Sequence, residues 1–185
     1  YAINLREQAQ FNKSEEVFEK AISIRTELFG ENHVSTANSY LSLGELMLLT
    51  ERPDSALALF SRALPVFRMA LTENHSFTAR TRMYLGYSHL LLGNIQKAGT
   101  YLLNGYDKVK EVHSEHTLER ALADHQLGSY YMKTGNWPQA DSLLTKAAGV
   151  IHDLEVTPSV SHQKIMDDMD RLNRQVNPYA KNELP

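Results

Sequence analysis

Residues 79–98 read ARTRMYLGYSHLLLGNIQKA, and the same frame occurs 42 residues earlier as ANSYLSLGELMLLTERPDSA (37–56) and 42 residues later as ALADHQLGSYYMKTGNWPQA (121–140). Ala37, Ala79 and Ala121 keep this register without insertion, as do Leu43-Gly44, Leu85-Gly86 and Leu127-Gly128, and Ala56, Ala98 and Ala140. Working outward, Phe18, Phe60, Leu102 and Leu144 continue one large apolar position, while Ala21, Ala63, Gly105 and Ala147 continue a small one. Independent series in one register define an internal repeat, and a period of ~20–50 residues is the mark of stacked supersecondary units.

Within a unit, Tyr40, Leu43 and Met47, then Leu57, Phe60, Leu64 and Phe67, recur at the three- and four-residue spacing of one helix face. Each unit is therefore two helices. Gly93-Asn94 and Gly135-Asn136 suit left-handed helix ends, and Pro53 and Pro138 suit a first helical turn, where a missing N–H breaks no hydrogen bond. These signals predict a truncated first helix at 1–9, its partner at 12–30, and pairs at 34–50 with 53–71, 76–92 with 95–112, and 117–134 with 137–153. The array spans 1–153, with units at about 1–33, 34–75, 76–116 and 117–156, followed by a capping helix at 157–176 and a flexible tail at 177–185. Pro65 lies inside a predicted helix and should kink or weaken it early.

A glycine inside a helix costs about 1 kcal/mol relative to alanine, so its return as Gly44, Gly86 and Gly128 implies a steric requirement. Close approach to Ala98 and Ala140 on the second helices would supply one. Linkers repeat as well: Phe29-Gly-Glu-Asn-His33 is answered by Leu71-Thr-Glu-Asn-His75, placing His33 and His75 where capping of the next helix is the expected use.

These residues resemble the tetratricopeptide repeat, whose pattern the second unit fills with Tyr40, Leu43, Gly44, Met47, Ala56, Phe60 and Ala63. The fourth fills it with Leu127, Gly128, Tyr131, Ala140, Leu144 and Ala147, with Asp124 at the first bulky position. The third departs at Arg82, His89 and Gly105. The usual unit is ~34 residues, and a 42-residue unit with an acid-Asn-His linker is similar to the kinesin light chain variety. The resemblance implies an all-α fold, an α-α superhelix of antiparallel helix pairs, and a non-catalytic scaffold that binds a peptide or helix of a protein partner in a concave groove.

Carried over by register, the groove would be lined by Asn38, Leu41 and Glu45 in the second unit, Arg80, Tyr84 and Tyr87 in the third, and His125, Gln126, Ser129 and Lys133 in the fourth. Met83, Leu90 and Leu91 either join this surface or pack against neighbouring helices. The asparagine ladder and the carboxylate clamp that some arrays of this family use are not legible, because Leu41-Ser42, Met83-Tyr84 and His125-Gln126 stand at the ladder positions. An amphipathic helix or hydrophobic anchor fits such a surface better.

The composition narrows the remaining classes. Across 185 residues the formal charge is −3, with Lys and Arg dispersed among acids, which argues against a nucleic-acid partner. No apolar run approaches the ~20 residues of a spanning helix, so a soluble chain without a membrane partner is expected. The absence of cysteine removes disulfides and thiolate zinc sites and fits a cytoplasmic location. The eight histidines form no ligand set with the spacing a metal needs, and no nucleophile elbow or phosphate loop occurs, so neither a metal, a cofactor nor an enzymatic activity is expected. The first residue is Tyr1, which reads as a segment of a longer protein. The resemblance to kinesin light chain-type repeats also implies an alternative role, a regulatory or sensory part of a signalling protein such as a bacterial Ser/Thr kinase, and the incomplete first helix suggests another, an element that stacks end to end. Oligomeric state is left open.

Overall fold

The computed structural model describes residues 10–154 together with Asp167 and Arg174. Residues 1–9, most of the predicted capping helix and the tail lie outside the described residues. Two compact units divide the chain, 1–112 and 113–185.

The first unit contains α1 (Phe11–Phe29), α2 (Val34–Leu49), α3 (Pro53–Ala70), α4 (Ser76–Leu91) and α5 (Ile95–Val112). The described part of the second contains α6 (Leu118–Lys133) and α7 (Trp137–Asp153). Every boundary from α1 onward falls within one residue of the sequence expectation. In the first unit α2 pairs with α3 and α4 with α5, while α1 packs on α2 and α3 on α4; in the second, α6 pairs with α7.

Local chemistry explains this agreement. Each first helix starts on a side chain at one register position: His33 Nδ1 accepts from the Ser35 N–H (3.1 Å), His75 Nδ1 from the Phe77 N–H (3.2 Å), and Thr117 Oγ1 from the Arg120 N–H (3.3 Å). Each satisfies a helix N–H that has no partner within the helix. Each first helix also stops in the same way. The N–H groups of Arg52, Asn94 and Asn136 reach back to the carbonyls of Met47, His89 and Tyr131, each at 2.8 Å, around a residue with positive φ. That residue is Gly93 or Gly135 at φ 77° in two copies and Glu51 at φ 57° in the other.

The glycines Gly44, Gly86 and Gly128 inside the first helices are contact points, although their partners differ from the alanines expected. A Cβ at Gly86 would lie 2.7 Å from Leu102 Cγ and 2.9 Å from the Leu102 backbone nitrogen; at Gly128 it would lie 2.9 Å from Leu144 Cγ. At Gly44 it would strike the Phe60 ring. The small residue of the first helix thus receives the large residue of the second, and Ala56, Ala98 and Ala140 are buried one turn earlier.

α3 runs unbroken to Ala70, so Pro65 does not end it early. Pro65 is exposed, as is Ser61 one turn before it, so the carbonyl that loses its N–H partner lies on the solvent side. Ala63, Leu64, Val66 and Phe67 meanwhile hold the helix from its buried side.

Candidate functional site

In the first unit α2 and α4, the first helices of successive pairs, meet directly: Arg80 Nη2 lies 3.5 Å from Glu45 Oε1. The Arg80 guanidinium also sits 5.6 Å from the centre of the Phe77 ring, while its Nε is buried without a hydrogen-bond partner. Asn38, Glu45 and Arg80 are half-buried, and Leu91 at the end of α4 is exposed.

The other residues assigned to the groove in this unit lie deeper than register suggested. Leu41 has no exposed surface and is a packing residue, as are Met83 and Leu90. Tyr87 is 5% exposed. Tyr84 is 9% exposed and stacks on Phe60 with ring centres 5.2 Å apart, so the Phe60 ring lies between Gly44 on α2 and Tyr84 on α4. Tyr84 therefore belongs to the joint around α3 as much as to any groove.

In the second unit His125, Gln126 and Ser129 are buried on α6, with Ser129 Oγ donating to the His125 carbonyl at 2.8 Å, and Lys133 is exposed at the end of the same helix. Sequence reasoning missed the buried pair beside them, in which Arg120 Nε donates to Asp124 Oδ1 at 3.1 Å. The i, i+4 spacing of opposite charges was the available signal. It reads as a surface pair until the helix is known to be covered.

Two ionisable groups are displaced in the third repeat, where the sequence leaves the pattern. Burial pushes the His89 imidazole below its ordinary value, and the nearby positive charge of Lys97 adds to this. Arg82, paired with Glu73, is also lowered, by burial and then by Arg68. Among the described residues no group of three or more ligating side chains could hold a metal, and no helix is long and apolar enough to cross a membrane.

Paired antiparallel helices repeating every 42 residues, with small residues at each crossing, define an α-α solenoid. The tetratricopeptide repeat family matches residues 1–69. The solved kinesin light chain nearly identical TPR-like repeats of Podosopora anserina superpose with a TM-score of 0.67 at 16% identity, covering 96% of this chain and 84% of that one. BtubC (BKLC) of P. vanneervenii superposes with a TM-score of 0.64 at 17% identity, covering 100% of this chain and 81% of that one. No curated protein sequence matches it. The family match thus covers the first 69 residues, and the solved neighbours, kinesin light chain repeats among them, share the fold of the chain. Repeats of this kind are, in general, non-catalytic protein-interaction modules.

Proposed function

We propose that the chain is an interaction scaffold that holds a peptide or helix of a protein partner against its first helices. In the first unit the contact surface is formed by Asn38, Glu45 and Arg80, with Tyr84 and Tyr87 forming its floor; in the second, Lys133 is the exposed contact beside His125, Gln126 and Ser129. The observation that carries this reading is the Arg80 side chain, half-buried and still partly exposed where α2 and α4 meet beside Glu45. The Arg80 side chain is 27% exposed, so a carbonyl or carboxylate of a partner can reach it, and a hydrogen bond to a charged group contributes about 1.5–3 kcal/mol. Polar groups half-buried among apolar ones also supply both parts of a recognition surface, area and orientation.

The test is calorimetric binding of a peptide selected against the intact chain by display. Arg80→Ala should weaken binding about tenfold or more, the value of a charged hydrogen bond, with the helical circular dichroism unchanged. Equal affinity in the variant sinks this face as the binding surface.

A further inference from the structure

At the register position filled by Met47 in α2 and Tyr131 in α6, α4 carries His89. The residue is 8% exposed and its Nδ1 is buried with no hydrogen-bond partner. Its ring stacks on Tyr101 of α5, with centres 5.7 Å apart and planes 19° from parallel. His89 thus occupies a packing position in the α4–α5 interface, where a neutral ring fits and a cation does not. Protonation would place a charge in a desolvated space that offers no acceptor for the new N–H. Attraction of the cation to the Tyr101 face offsets part of that cost.

The surrounding charges do not rescue the cation. On α5 the charge that acts on the ring is Lys97, of like sign. On α3 Asp54, Arg62 and Arg68 are exposed, with Arg62 paired to Glu31 and Arg68 to Glu73. On α4 Arg82 is paired to Glu73 and Arg80 to Glu45 of α2.

We propose that the α4–α5 joint is acid-sensitive, with protonation of His89 loosening the packing of α4 on α5. The proposal stands independently of the binding surface, although α4 also carries Arg80. Because the folded-state value of His89 lies below the ordinary imidazole value of 6.5, the unfolded chain binds the proton first. Stability from this group is complete above 6.5 and is lost as pH falls through that value towards the lower, folded one.

Amide hydrogen exchange of the whole chain, compared at pH 8 and pH 5 after correction for intrinsic rates, tests the idea. The expected result is a loss of protection on acidification that is greater in α4 and α5 than in α2 and α3, and that is abolished in His89→Met, the residue found at position 47. Equal loss in the variant, or no selective loss in the wild type, overturns the proposal. Should the variant not fold, nuclear magnetic resonance titration of the wild-type imidazole decides: His89 must titrate below the ordinary imidazole value of 6.5, and titration at or above it refutes the acid-sensitive joint.

Discussion

The pair α2/α3 encloses Tyr40, Met47 and Phe60, all with little or no exposed surface. Forty-two residues on, the pair α4/α5 holds Arg82, His89 and Leu102 at the same positions. Between these two pairs the glycine at the crossing, the cap that opens the first helix and the hydrogen-bonded stop that closes it are all retained. The retained features are those in which backbone must approach a neighbour or satisfy its own polar groups. Side chains that fill the remaining volume can exchange, since a larger residue in one place balances a smaller one elsewhere.

The comparison can be broken first at its large residue. Phe60→Ala should cost about 3–5 kcal/mol in denaturant unfolding, because it removes a ring without exposed surface that touches both Gly44 and Tyr84. Phe60→Leu, which copies position 102, should cost much less, and equal losses would mean that the two pairs are not interchangeable fillings of one frame. Next, Gly86→Ala should lower stability by about 1–3 kcal/mol despite the better helix propensity of alanine. Here the added carbon meets the Leu102 backbone nitrogen, which cannot rotate away. A neutral or stabilising result from the same unfolding measurement would remove the steric reason for the repeated glycine.

Smaller effects belong to the helix ends. His75→Ala should cost about 1 kcal/mol, within the range for loss of a capping acceptor, and His75→Asn should restore most of it; thermal melts of the two variants distinguish a cap from a packing role. Smallest is a gain. Glu51 holds a left-handed conformation that glycine occupies in the other two copies, so Glu51→Gly should stabilise by about 0.5–1 kcal/mol. A loss in place of that gain would show that the Glu51 side chain contributes more than its backbone strain costs.

Most of the architecture was legible because its signals are local. His33, His75, Gly93, Gly135 and Pro53 each act on backbone within a few residues of themselves. Pro65 does not end α3, because its effect depends on which side of the helix it occupies and the exposed side tolerates it. The candidate site was legible only in part. Glu45 and Arg80, both assigned by register, meet across α2 and α4, but Leu41, assigned to the same surface, is fully buried. Arg120 and Asp124 give the converse case, a charged pair that spacing alone reads as solvent-exposed.

By itself the sequence determined the 42-residue unit, its division into two helices and nearly every helix end, since periodicity, caps and left-handed stops are written in neighbouring residues. Only tertiary structure decided how deeply each first-helix side chain is covered, that Tyr84 stacks on Phe60, and that His89 lies against Tyr101 with an unpaired nitrogen. Burial depends on the bulk and position of side chains from other helices, and that information is distributed over residues far apart in the chain.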